Sequence, residues 1–183
     1  MISADAWQTA ETPGALRGLP ITRPEIIVAV IQRSSRPILV VGPEATETKL
    51  LIGAPLEYAI RMAEKTRAQV VATANVINEF LIRGFKEVVG MPIVDVANRL
   101  RDPDWKGFDG QGQYDLALFI GLKYYLGWTT LSGLKHYAPH LKTVSLDRFH
   151  QPNATWSFPN MSVDDWQKQL DAIITQLGWF SSQ

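Results

Sequence analysis

Residues 36–42 read RPILVVG, an apolar run headed by Pro37 and closed by Gly42. No polar residue interrupts it, so a strand made from it must be buried on both faces, as in the middle of a parallel sheet. The flanks support that reading. TRPEIIVAVIQRS (22–34) opens a helix, with Thr22 as N-cap, Pro24 in the first turn and Glu25 at the capping-box position. Helical material resumes near Thr46 and runs to Arg67, with Pro55 breaking it in two. QVVAT (69–73) is a short second strand, and ANVINEFLIRG (74–84) is a helix with Val76, Ile77, Phe80 and Leu81 on one face.

The second half repeats the alternation. VVGMPIV (88–94) reads as a weak strand or a loop, and DLALFIG (115–121) as a clear strand. LKYYLGWTTLSGLKHY (122–137) is helical despite Gly127 and Gly133, and LKTVSLD (141–147) is another buried strand. In the last helix, Ser162 is the cap, Trp166, Leu170, Ile173, Ile174 and Leu177 recur at helical spacing, and Gly178 is the expected end. Apolar strands alternating with helices predict an α/β fold, an open parallel sheet with helices on both faces. Residues 1–20, with two prolines, two glycines and Trp7, read as an extended N-terminal arm, and 21–183 as a single domain.

Composition bounds the function. The 183 residues, 46% hydrophobic, suit one domain with a proper core. Eighteen basic residues balance eighteen acidic ones, which gives no bulk electrostatic case for nucleic acid or a membrane surface. No apolar run reaches the roughly 20 residues of a membrane span. The opening MISADAWQTAETPG lacks the basic start and apolar centre of a secretory signal, so a cytoplasmic protein is expected.

The sequence has no cysteine, which removes disulfides, thiol catalysis and cysteine-held iron–sulfur clusters from this chain. His136 and His140 have the spacing of a metal pair, but Pro139 between them should end the helix. No metal ligand set and no catalytic constellation is expected: no residue pairs a nucleophile with a base.

The segment RDPDWKGFDGQGQY (101–114) holds three glycines and three aspartates and fits neither helix nor strand. Asp102 and Asp104 start like a calcium loop, but Lys106 stands at position five and Gln113 replaces the closing glutamate. Ligands of open α/β sheets bind outside the carboxyl ends of the strands, whereas this loop feeds the amino end of its strand. It is therefore expected near the opposite rim, with Trp105 and Phe108 either plugging the bottom of the sheet or meeting a partner.

The carboxyl rim comprises Gly42-Pro43, Thr73-Ala74-Asn75, Gly121-Leu122-Lys123 and Asp147-Arg148. One glycine ends the first strand where a dinucleotide fingerprint has three, and the second strand ends without a carboxylate for an adenine ribose. Asp147 could take a ribose hydroxyl or simply cap local backbone. Gly42, Asn75, Gly121 and Asp147 are the candidate cofactor-binding residues.

From Arg36 onward the chain resembles the epsilon subunits of archaeal acetyl-CoA decarbonylase/synthase complexes, the small partners of their carbon monoxide dehydrogenase. The resemblance rests on RPILVVG, on RDPDWKGFDGQGQYDLALFIGLKYY and on LKTVSLDRFHQPNATWSF, and covers about four fifths of the chain. It implies a Rossmann-like fold, similar to the nucleotide-binding domains of sirtuins and thiamine-diphosphate enzymes. It implies a non-catalytic subunit of an α2ε2 assembly whose large subunit carries the nickel–iron–sulfur chemistry, stabilising that assembly and assisting electron transfer to FAD. Two functions follow. The first is a structural subunit whose aromatic surface (Trp7, Trp105, Tyr124, Tyr125, Trp128, Trp156) includes the interface. The second is a FAD- or NAD-binding electron relay using the four rim residues.

Overall fold

The structure, a computed structural model, describes residues 18–180. Trp7 and most of the expected arm lie outside that range. The chain order is β1 (Leu19–Pro20), α1 (Pro24–Arg33), β2 (Pro37–Val41), α2 (Glu44–Glu47), α3 (Pro55–Thr66), β3 (Gln69–Ala72), α4 (Val76–Ile82), β4 (Val88–Gly90), α5 (Ile93–Arg101), β5 (Leu116–Ile120), α6 (Tyr124–Tyr137), β6 (Lys142–Ser145), β7 (Trp156–Ser157) and α7 (Val163–Phe180).

All strand pairs are parallel, and the sheet order is β1-β7-β6-β5-β2-β3-β4. β2 lies inside the sheet, next to the middle strand β5, in register with β3 through Ile38–Gln69 and with β5 through Pro37–Leu116. From β2 the chain winds outward through β3 and β4. It then crosses back to β5 and winds the other way through β6 and β7. That is the strand order of a Rossmann sheet, with its reversal between β2 and β5.

The period-2 alternation of the strands divides the core into two layers. Leu39 and Val41 face α1, α3, α4 and α7, with Ile27, Met62, Phe80 and Ile173 in the same apolar cluster. Ile38 and Val40 face α5 and α6, with Val96, Leu100, Leu131 and Leu134. Ile38, Leu39, Val40 and Val41 are all fully buried, as a two-faced apolar strand requires.

Several local expectations shift. α1 begins after Arg23, not Thr22, and has no side-chain cap. Glu25 instead accepts a hydrogen bond from Gln176 of α7 at 3.0 Å. The helical stretch expected from Thr46 to Arg67 is in two pieces, as Pro55 implied, but the first is only Glu44–Glu47 and residues 48–54 separate it from α3, which starts at Pro55. Leu81, expected on the buried face of α4, is 48% exposed. α5, absent from the sequence expectation, fills residues 93–101.

Ser162 does cap α7, accepting from the Asp165 amide at 3.1 Å. Gly178 does not end it: the helix runs on to Phe180. A Cβ on Gly178 would meet only the flexible end of Lys65 of α3, its Nζ 2.6 Å away. Leu19 and Pro20, expected in the arm, pair with Trp156 and Ser157 and form an edge strand of the sheet.

Candidate functional site

The strand reversal places Gly42, at the end of β2, against Gly121, at the end of β5. A Cβ on Gly42 would stand 2.3 Å from the Gly121 carbonyl oxygen, and one on Gly121 2.3 Å from the Ala45 amide nitrogen. Gly121 has a φ of +75°. The two glycines therefore serve backbone-on-backbone packing at the strand reversal.

The hydrogen-bond donors there are also committed. The Glu44 amide donates to the Gly121 carbonyl at 2.8 Å, the Ala45 amide to Gly42 at 3.1 Å and the Thr46 amide to Pro43 at 3.0 Å. Residue 44, at the start of a helix only one turn long, is itself acidic, and Glu47 follows. An anion at this point would find no free amide and two carboxylates, the reverse of a phosphate site. The rim residues do not fit the pyrophosphate of FAD or NAD at the strand reversal.

Asp147 joins this pair. Its Oδ1 accepts from the Gly121 amide at 2.6 Å, so it holds the end of β5 to the chain leaving β6. Burial, and then the nearby charge of Glu44, push its carboxyl up to about 7, against the lowering effect of the Gly121 and Leu122 amides. Burial and the Glu47 charge also raise Glu44. Asn75 is apart from these three. It is exposed at the end of β3, on the start of α4, with no side-chain cap bond.

Gly121 and Asp147 border a cleft of about 330 Å³, whose other walls include Glu44, Glu47, Tyr124, Arg148, Phe149 and Gln151. Gln151 is 2% exposed, and its Nε2 donates to the Tyr124 carbonyl at 3.0 Å while its Oε1 has no donor. The three ion pairs among the described residues are Arg36–Asp109, Arg83–Glu79 and Lys168–Asp165, so no cation pairs with Glu44, Glu47 or Asp147. Arg148 lies over the Phe149 ring, 3.9 Å from its centroid, and donates to the Met161 carbonyl.

Next to the cleft, the first turns of α6 form an aromatic ridge. Tyr124 and Trp128 stand one turn apart, with Tyr125 beside them; all three are 45% exposed or more. The ridge is fixed from below. The Tyr124 hydroxyl donates to the His150 carbonyl, and Asn153 donates to the Trp128 carbonyl.

Sequence reasoning singled out Asp147 and the α6 aromatics but missed Glu44, Glu47 and Gln151. The available signal was the two glutamates just beyond Gly42. Trp156, included in the aromatic surface, is instead half-buried against the core.

The 101–114 segment lies at the opposite rim. Arg36, at the amino end of β2, ties it down by a bidentate contact to Asp109 at 2.7 and 3.1 Å and by a bond to the Gly112 carbonyl at 3.1 Å. Trp105 packs edge-on to Phe108, with centroids 5.1 Å apart, and 5.6 Å from Tyr114, against the layer under α5 and α6. These rings plug the bottom of the sheet. A larger cleft of about 990 Å³ opens on this rim beside Arg36, Glu64, Arg67, Lys86 and Glu87. It mixes both signs of charge, and the unpartnered buried polar atoms of the described residues are elsewhere.

Among the described residues, no helix is long and apolar enough to cross a membrane, and no group of three or more His, Asp or Glu is placed to hold a metal ion. His136 and His140 are exposed on either side of the end of α6.

Comparison with known proteins decides the family. The profile of the family described as CO dehydrogenase beta subunit/acetyl-CoA synthase epsilon subunit matches residues 15–174. The chain belongs to this family. As a CO dehydrogenase beta/acetyl-CoA synthase epsilon family chain it is 36% identical over 170 residues to the acetyl-CoA decarbonylase/synthase complex subunit epsilon of Methanothermobacter thermautotrophicus, covering 93% of this chain and 94% of that one. It is 36% identical over 157 residues to the protein of the same name from Methanothrix soehngenii, covering 84% and 81%. With subunit epsilon 1 of Archaeoglobus fulgidus it shares 35% over 144 residues, covering 78% and 74%.

The solved putative enoyl reductase domain of a polyketide synthase is a far more remote likeness. It is 22% identical with a TM-score of 0.41, covering 86% of this chain and 85% of that one, and carries no functional argument. The stretch that marks this epsilon-family chain includes every strand, the carboxyl-edge cleft and the 101–114 plug.

Proposed function

We propose that the chain is the epsilon subunit of an acetyl-CoA decarbonylase/synthase complex, a non-catalytic partner of the large nickel–iron–sulfur carbon monoxide dehydrogenase subunit in an α2ε2 unit. The observation that carries this reading is the near-full-length match, 36% identity over 93% of the chain, to a protein named as that subunit.

The residues agree with it. The sequence contains no cysteine, so clusters held by thiolates belong to a partner. The chain's own contribution is a rigid surface. Its parallel sheet is buried between two helical layers, and the cleft and aromatic ridge are held from beneath by the backbone contacts of Tyr124 and Trp128. Such a subunit stabilises an assembly by burying that surface. Electron transfer to FAD, which the resemblance also implies, would need a flavin site other than the strand reversal.

The test is anaerobic affinity purification of the tagged chain from its native cells. The expected result is a co-eluting large subunit in equal amount, carrying nickel and iron. Recovery of the chain alone and metal-free, under conditions that keep the large subunit folded, would overturn the reading.

A further inference from the structure

The carboxyl-edge cleft is lined by more carboxylates than cations: among the described residues, Arg148 is the one cationic residue on its wall, and its charge and that of Lys123 reach Glu44 without forming an ion pair. Glu44, Glu47 and Asp147 line it, and none has an ion-pair partner among the described residues. Gln151 adds a buried Oε1 with no donor on the same wall. Glu44 and Asp147 are half-buried, Gln151 is buried and Glu47 is exposed at the mouth, and acceptors left in this way favour an occupant that brings several N–H donors and a positive charge. The walls suit such a group in a second respect. Tyr124 and Phe149 are among the lining residues, and the Arg148 guanidinium over the Phe149 ring shows that an arginine side chain packs against this wall.

A small free cation would not account for the surface beside the cleft. Tyr125 is 63% exposed and Trp128 45% exposed, on a helix that is anchored in the core by Leu131 and Leu134. Exposed tyrosine and tryptophan next to a polar cleft is the composition of a protein-binding hot spot.

We propose that this cleft and ridge together dock a protein partner, which inserts one arginine or lysine side chain among Glu44, Glu47 and Asp147 and lays an apolar surface over Tyr125 and Trp128. The proposal rests on the subunit reading for the identity of the partner. The chemistry of the partner's surface, a cation ringed by apolar groups, follows from the charges and rings named here.

The experiment is anaerobic biolayer interferometry of the full chain against the purified metal-bearing carbon monoxide dehydrogenase subunit, at low and high salt. Three variants accompany the wild type: Tyr125→Ala with Trp128→Ala, Glu44→Gln with Glu47→Gln, and Ile82→Ser. Ile82 is 77% exposed on α4, at the other side of the sheet, and is the control. Thermal melts of all four confirm equal folding.

The aromatic pair is expected to weaken binding by roughly thirtyfold or more, as loss of a hot spot does. The glutamate pair is expected to weaken it and to flatten its salt dependence, with Ile82→Ser unchanged. Wild-type affinity in both pairs, or loss in Ile82→Ser alone, overturns the proposed surface while leaving the subunit reading standing. No binding by the wild type overturns the subunit reading and the docking proposal with it.

Discussion

The Gly121 amide donates to the Asp147 carboxylate at 2.6 Å, across the carboxyl ends of adjacent parallel strands. In a nucleotide-binding sheet that position serves a ligand; here it fastens the protein to itself. The same bond keeps an acidic group in a half-buried place where it is more easily protonated, and that has a measurable consequence.

Asp147 is pushed up to about 7 in the folded protein, from 3.8 as an isolated side chain. Between those values the folded state binds a proton that the unfolded state releases. Its stabilising contribution is therefore full below about pH 4 and is lost as pH rises through about 7. Asp147→Asn keeps an acceptor for Gly121 and cannot ionise. The variant should gain melting temperature over the wild type at about pH 8 and lose most of that gain at about pH 5. Paired thermal melts at the two pH values check it; an equal difference at both would show that Asp147 does not titrate in this window.

The glycine pair gives a second expectation. Gly121→Ala places a methyl 2.3 Å from the Ala45 nitrogen on a backbone with φ of +75°, whereas Gly84→Ala, at φ of +81°, meets nothing within 4 Å. The first carries a steric clash against backbone as well as the left-handed strain, and the second only the strain. Urea unfolding should show a loss of about 3 kcal/mol or more for Gly121→Ala and about 1 kcal/mol for Gly84→Ala. Similar losses would mean that the strand reversal can relax, leaving room for a ligand.

The same packing predicts how the chain treats flavin. With the Glu44, Ala45 and Thr46 amides bonded to backbone carbonyls, FAD should bind no more tightly than about millimolar, the level at which only weak, unspecific contacts operate. A fluorescence titration of FAD with the purified chain measures this directly. Micromolar binding, lost in Gly42→Ala, would restore the strand reversal as a cofactor site.

The central sheet was legible because its strands are two-faced. RPILVVG and DLALFIG have no polar position to spare, and both are central strands. α5 went unread although it carries its own signals: Pro92 before it, Asp95 in the first turn, Arg99 and Arg101 in the last, and Ile93, Val96 and Leu100 on one buried face. The preceding VVGMPIV masked its start. β1 and β7 have two residues each, too short for any periodicity, and exist only because the sheet edge pairs them. At the site, Asp147 stood out by its place after a strand. The isolation of Glu44, Glu47 and the Gln151 oxygen could not be read, because it depends on where cations from distant segments come to rest.

The 101–114 plug supplies the last prediction. Trp105 is half-buried against Phe108 and Tyr114, and this aromatic group packs on the layer that includes Leu100 and Ala117. Cutting it to alanine removes most of a large apolar side chain and leaves a gap beneath the sheet, with a loss of about 2–4 kcal/mol, below the full range for a completely buried ring. Arg36 holds the same segment through Asp109 and two backbone carbonyls, so Arg36→Lys, which cannot reproduce the planar fork, should also destabilise. If these residues act only as a plug, both variants should bind the partner subunit with wild-type affinity at a temperature where they remain folded. Unchanged unfolding of Trp105→Ala together with lost binding would instead make this rim an interface.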